Sequence, residues 1–160
     1  MISLRTRVSI ALVIAVAILI SLWSYGKWVP KRLAPVRTPQ VVFNKQVIDV
    51  TVATSEADRE RGLGGRDGLG ANEGMLFVFP EDSYEKFWMK DMRFSIDMLW
   101  LSATGTVVYI APNVSPDTYP QTFEPTSPAR FVLELPAQFA KEHAITVGDT
   151  AILPPLARGQ

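Results

Sequence analysis

The 160-residue sequence has no cysteine, a single histidine and no net excess of either charge. A chain without cysteine forms no disulfide, no thiolate nucleophile and no thiolate metal site. The single histidine, His143, follows a predicted short helix, which favours contact with the helix end over a role as catalytic base. The 16 basic and 16 acidic side chains cancel, whereas nucleic-acid binding needs a basic surface. We therefore expect no cofactor, no metal site and no nucleic-acid partner.

One long apolar run lies near the start of the chain, where residues 8–26 carry no charged side chain. A helix over these residues would be about 28 Å long, close to the hydrocarbon thickness of a bilayer. The run predicts a membrane anchor after a short basic tail, residues 1–7. A cleavable signal peptide is the alternative, because Ser24-Tyr25-Gly26 loosely matches a cleavage pattern. Basic residues flank both ends, so charge does not set the orientation, but we expect the globular domain on the extracytoplasmic side of the cell membrane.

Beyond the anchor, residues 27–40 are basic and proline-rich, which predicts a semi-rigid tether. Residues 41–160 are predicted to form one mainly β (β-rich α+β) domain, either barrel-like or a curled antiparallel sheet, with two short helices. Strands are predicted at residues 47–53, 74–79, 86–89, 95–101, 106–111, 129–135 and 150–153. Helices are predicted at residues 54–61 and 136–142. Pro80 should end its strand, and residues 111–128 should form a long loop, either a flap or plain surface.

Charged side chains interrupt the apolar segment KFWMKDMRFSIDMLW, residues 86–100. Asp97 is the most informative of them, because a carboxylate in a strand that is apolar on both faces needs a cation or several amide donors. By the two-residue period of a strand, Trp88 and Lys90 share one face. A turn at residues 91–94 would return the chain antiparallel and place Lys90 near Asp97. The pair is either a buried structural ion pair or part of a ligand pocket.

Two further cations flank the glycine-rich turn at residues 62–65 and could reach the same region. A surplus of positive charge beside an aromatic face predicts a site for an anionic or hydroxyl-rich small ligand. The predicted ligand-binding residues are Arg59, Arg66, Trp88, Lys90 and Asp97. Glu73 and Glu134 are other carboxylates that could form a pair with Asp97 for glycoside hydrolysis, but the sequence gives no separation between them.

Three ordered motifs resemble the family known as domain of unknown function 192: TVATSEADRERGLGGRDGL, GMLFVF and FWMKDMRFSIDMLWL, followed by VLELP and VGD. The family pattern falls on Arg59 or Arg61, Gly62, Leu63, Arg66, Gly74, Met75, Phe87, Trp88, Met89, Lys90 and Asp97. The chain departs from the pattern at Asp91-Met92, where Asn-Thr is usual, and at Gly64, where Met is usual. The resemblance implies a compact β-rich domain, often behind a signal or anchor, with no assigned activity.

The sequence leaves three functions open. The first is a membrane-tethered module that binds a small polar or anionic ligand, or an envelope saccharide. The second is a structural or protein-interaction domain of the cell envelope. The third is a hydrolase with Asp97 as acid or base and Arg66 or Lys90 stabilising negative charge; outside that alternative no catalytic residue is predicted.

Overall fold

The computed structural model describes residues 15–21 and 38–155. The chain divides into two compact units, Met1–Val36 and Arg37–Gln160. Residues 15–21 are helical and exposed, and no helix within the described residues is both long and apolar enough to cross a membrane. Most of the predicted anchor, residues 8–26, and of the tether, residues 27–40, lies outside the described residues, so both remain predictions.

The second unit is built on a six-stranded sheet whose strands lie in the order β1-β2-β3-β8-β5-β6. These strands are β1 (Gln40–Phe43), β2 (Gln46–Ala53), β3 (Glu73–Ser83), β5 (Ile96–Leu101), β6 (Val107–Val114) and β8 (Ala129–Pro136). A separate two-stranded ribbon pairs β4 (Phe87–Trp88) with β7 (Thr122–Phe123). The helices are α1 (Glu56–Arg61), α2 (Phe139–Glu142) and a 3-10 turn (Pro116–Thr118). The β-rich class predicted from the sequence is confirmed.

The predicted barrel or purely antiparallel sheet is wrong in two respects. β2 and β3 run parallel, because the segment between them, which contains α1, is long enough for a crossover connection. Within the described residues no strand ladder joins β1 directly to β6, so the six strands do not form a closed barrel. Residues 150–153, predicted as a strand, form only single bridges, from Ile152 to Val42 and from Thr150 to Thr106.

Both faces of the sheet are covered, which explains why its central strands carry apolar side chains on both faces. One face, the helix face, carries Leu76, Leu99 and Leu133 in a cluster with Phe139 and Ala140 of α2. The other, the aromatic face, carries residues such as Phe77, Trp100 and Val132, packed with Leu63, Met89 and Phe87. All six residues of β5 are buried, and Glu134 of β8 is buried as well, so the carboxyl groups of Asp97 and Glu134 lie inside the domain.

The helix predicted at residues 54–61 is present as α1, and the residues at its two ends explain its bounds. Ser55 caps its N-terminus by accepting a hydrogen bond from the Asp58 amide at 3.1 Å, and Gly62 ends it with a φ of 51°. Pro80 does not end β3, contrary to the prediction. It lies between Val78 and Ser83, where the register with β8 shifts, so its missing amide hydrogen interrupts no regular ladder.

The predicted irregular loop at residues 111–128 is more ordered than its proline content suggests. β6 extends to Val114, the 3-10 turn follows, and β7 then pairs with β4. Tyr119 contacts the ring of Trp88, and Phe123 lies opposite Phe87 in the ribbon. The segment therefore holds β4 in place, which matters for the site described below.

Candidate functional site

Asp97 lies in the sheet, fully buried, with backbone amides as its partners. One oxygen accepts hydrogen bonds from the amides of Asn113 at 2.7 Å and Gln138 at 3.0 Å. The other accepts from the amide of Ala140 at 2.8 Å. Gln138 precedes α2 in a left-handed conformation and offers no side-chain cap. The Asp97 carboxylate thus supplies the helix cap from another strand and fastens α2 and β6 to β5.

Lys90 is not the partner of Asp97, contrary to the prediction. The strand before the turn is short and pairs with β7 rather than with β5, so the turn does not carry Lys90 across a ladder to Asp97. Lys90 is exposed, and among the described residues it forms no ion pair. The predicted placement of Trp88 and Lys90 on one face of this segment is confirmed, because both are exposed whereas Met89 between them is buried.

A cleft of about 640 Å³ opens between α1 with its glycine turn on one side and the β4 segment on the other. Arg59 and Leu63 form one wall, and Trp88 and Lys90 form the other. Phe77 and Phe87 contribute apolar surface and meet edge to face, with ring centroids 4.8 Å apart. The volume is within the usual range for small-molecule sites.

Glu134, on β8, also lines this cleft, and its carboxyl is the unusual group there. Its residue is 5% exposed, and it pairs in register with Met75 on β3 and Met98 on β5. Its Oε2 atom is buried without any hydrogen-bond partner among the described residues. Burial raises the pKa of Glu134 from 4.5 to about 8, while the nearby positive charge of Arg66 opposes that rise.

Arg59 is fixed by the backbone and does not pair with a carboxylate among the described residues. Its Nη1 atom donates to the carbonyl oxygens of Thr54 and Val78. The guanidinium also lies over the ring of Phe79, 5.2 Å from its centroid. These contacts hold α1 against β3, so Arg59 shapes the wall of the cleft and keeps its charge there.

The structure therefore separates the five predicted ligand-binding residues. Arg59, Trp88 and Lys90 line the same cleft, and Arg66 lies in an adjoining hollow with Met75. Asp97 is on the opposite side of the sheet, among the contacts that hold α2. The binding roles of these residues remain predictions, but only the first three share the cleft with Glu134.

Glu134 was not selected as a binding residue from the sequence, although the signal was present. It interrupts the apolar run FVLEL, residues 131–135, as Asp97 interrupts IDMLWL. Burial of an ionised carboxylate without compensating partners is costly at either position. The sequence does not show which groups surround each carboxylate. Amides from distant segments donate to Asp97, whereas no described residue donates to Oε2 of Glu134.

Comparisons with known proteins support the fold and a family. The sequence profile of the DUF192 family, described as an uncharacterized ACR, matches residues 40–153. No curated protein is significantly similar to the chain.

Two solved structures are similar to this chain. A proposed transcription regulator from Sinorhizobium meliloti 1021 is 28% identical with a TM-score of 0.66, covering 72% of this chain and 91% of that one. A protein of unknown function from Novosphingobium aromaticivorans DSM 12444 is 26% identical with a TM-score of 0.67, covering 75% and 90%. The chain therefore belongs to the DUF192 family of uncharacterised proteins.

Proposed function

We propose that the domain binds a small polar ligand in the cleft between α1 and the β4 segment. The proposal rests on Glu134, because its buried Oε2 atom has no hydrogen-bond partner among the described residues. A buried polar atom without a hydrogen bond costs about 1–3 kcal/mol. A ligand that reaches the carboxyl of Glu134 would remove that cost, and a cleft of this volume is typical of small-molecule binding.

The rim of the cleft suits a ligand that is polar on one side and flat or apolar on the other. Trp88 is 52% exposed and meets Tyr119 with ring centroids 6.3 Å apart. An exposed indole offers a stacking surface, and the Lys90 ammonium beside it offers a charged donor. An envelope saccharide or an anionic metabolite would use both features. The extracytoplasmic, membrane-tethered setting predicted from residues 8–26 is part of this proposal and rests on the sequence.

A protein-interaction surface is the second candidate, and the exposed Trp88–Tyr119 pair supports it. Two aromatic side chains in contact and each about half exposed are unusual on a surface without a partner. The hydrolase alternative gains less support. Both oxygens of Asp97 already accept backbone hydrogen bonds, which favours a structural role for that carboxylate.

Thermal unfolding of the full chain against sugars and anionic metabolites tests the proposal. A ligand at 100 times its Kd adds about 2.7 kcal/mol, which raises the midpoint by roughly 10 °C for a domain of this size. We expect a stabilising compound whose effect disappears in Trp88→Ala and persists in Tyr84→Ala, because Tyr84 is exposed but does not line the cleft. Stabilisation that is equal in both variants would exclude the cleft as the site.

A further inference from the structure

We propose that Glu134 meets the ligand as an uncharged carboxylic acid and donates its proton in a hydrogen bond to a carboxylate or carbonyl oxygen of that ligand. This inference rests on the proposed function and specifies the chemistry of the same site. Glu134 is then a ligand-binding residue. The ligand has an oxygen atom that accepts a hydrogen bond, attached to a group with apolar surface.

The surroundings of Glu134 favour the neutral acid. Its strand neighbours on either side are Met75 and Met98, neither of which has a side chain that stabilises an anion. No described residue donates a hydrogen bond to its buried oxygen. An ionised carboxylate there would have the nearby charge of Arg66 but no hydrogen-bond donor among the described residues, whereas the acid form requires only one acceptor for its proton. The pKa of Glu134, raised to about 8 by burial, agrees with this geometry.

Four of the other eight charged groups in and beside the cleft have hydrogen-bond or ion-pair partners of their own. The eight groups are Glu56, Glu60, Glu85, Arg59, Arg61, Lys86 and Lys90, with Arg66 in the adjoining hollow. Arg61 pairs with Asp58, and Lys86 pairs with Glu124 at 3.2 Å. Arg59 is held by two carbonyl oxygens, and Glu85 accepts from the Ser83 hydroxyl at 2.9 Å.

Lys90 is the cation lining the cleft for which the described residues provide neither an ion pair nor a hydrogen bond, since Arg59 already donates to two carbonyl oxygens. Glu56 and Glu60 are exposed on α1, where water screens their repulsion of an anion. A ligand oxygen that accepts from Glu134 and reaches Lys90 would therefore meet two donors. The remaining surface from Leu63, Phe77 and Phe87 suits an apolar body rather than further charge.

Three small probes of similar shape separate the chemical classes: phenylacetate, phenylacetamide and phenethylamine. Binding to the full chain is followed by calorimetric titration at pH 6.5 and pH 9. We expect phenylacetate and phenylacetamide to bind at pH 6.5 and phenethylamine not to bind. At pH 9 the affinity for phenylacetate and for phenylacetamide should fall about tenfold, because only about one protein molecule in ten retains the proton on Glu134.

Two variants at the same position separate a neutral donor from a charged carboxylate. Glu134→Gln keeps a donor and an acceptor without titrating, so both probes should bind within a few-fold of wild type and lose the pH dependence. Glu134→Leu should lose at least tenfold in affinity. The wild-type pH profile needs no variant and keeps the test valid if Glu134→Leu does not fold.

The outcomes also distinguish this inference from the proposed function. Binding of phenethylamine alone, abolished in Glu134→Gln, would overturn the neutral-acid inference but retain the cleft as a binding site. Affinity for phenylacetate that is unchanged at pH 9 and in Glu134→Leu would likewise overturn it. Failure of all three probes and of every compound in the thermal panel would contradict the proposed function, and the inference with it.

Discussion

Asp97 and Glu134 are buried carboxylates on adjacent strands that point to opposite sides of the sheet. Asp97 lies opposite Leu135 in the register, and Glu134 lies opposite Met98. Residues opposite each other share a face and successive residues alternate, so the two carboxyl groups are separated by the sheet itself. Asp97 receives three backbone amides, whereas Oε2 of Glu134 receives no donor from the described residues. The backbone amides explain the burial of Asp97, whereas for Glu134 we propose a ligand as the missing partner.

Replacement of Asp97 by Asn should destabilise the domain without acting on the cleft. The amide NH₂ cannot accept hydrogen bonds, so at least one buried backbone amide would lose its acceptor. We expect the free energy of unfolding to fall by about 3 kcal/mol or more, measured by urea denaturation. Asp49→Asn is the matched control, since Asp49 is an exposed strand residue, and its effect should stay within about 0.5 kcal/mol. A mild effect of Asp97→Asn would remove its structural role.

Stability should depend on pH through Glu134. The folded state raises the pKa of Glu134 from 4.5 to about 8, so between these values the folded protein holds a proton that the unfolded chain has released. The stabilising contribution is complete below pH 4.5 and is lost as the pH rises to about 8. The slope is up to about 1.4 kcal/mol per pH unit.

Urea denaturation at pH 5, 6.5 and 8 measures this slope against Glu134→Gln. The variant does not titrate at this position, so the difference between wild type and variant should decrease steadily across the series. A constant difference would show that the carboxyl has the same pKa in both states.

Gly74 marks a close approach between β3 and β8 beside the site. A Cβ atom there would lie 2.7 Å from the carbonyl oxygen of Glu134, a distance that forces the backbone to move. We expect Gly74→Ala to cost about 1–3 kcal/mol in unfolding free energy and to weaken phenylacetate binding by displacing Glu134. In the control Gly68→Ala the new methyl group meets no atom within 4 Å, and both quantities should stay unchanged.

Trp88→Ala should separate binding from stability. Because the side chain is 52% exposed, its loss should lower the free energy of unfolding by less than about 1 kcal/mol. Ligand affinity should nevertheless fall, since the indole forms one rim of the cleft. Calorimetric titration with phenylacetate and urea denaturation of the same preparation measure the two effects. A variant that unfolds more easily but binds normally would place Trp88 in the fold and not in the site.

Local signals in the sequence determine much of the fold. The β-branched run of β2, the helical segment of α1 and the apolar β5 are all recognisable in the sequence, because each depends on residues near one another in the chain. The parallel pairing of β2 with β3 is not, since nothing local distinguishes it from an antiparallel neighbour. The pairing of β4 with β7 is not predictable from the sequence, because strands of two residues are too short to show the alternation of buried and exposed side chains.

The site was only partly predictable for the same reason. Trp88, Lys90 and Arg59 were chosen on residue type, and the fold does bring them to one cleft. Asp97 and Glu134 give nearly the same pattern in the sequence, a single acid within an apolar strand. Their difference arises from the amides of Asn113, Gln138 and Ala140, whose approach to Asp97 depends on tertiary structure.

The most direct measurement is a carbon-13 NMR titration of the glutamate side-chain carboxyls in the full chain, with Glu134→Gln to assign the resonance. We predict a midpoint for Glu134 near pH 8, moved upward by saturating phenylacetate because this probe binds the protonated acid. A midpoint near 4.5 that no probe alters would contradict it, since the carboxyl would then be ionised and already satisfied without a ligand.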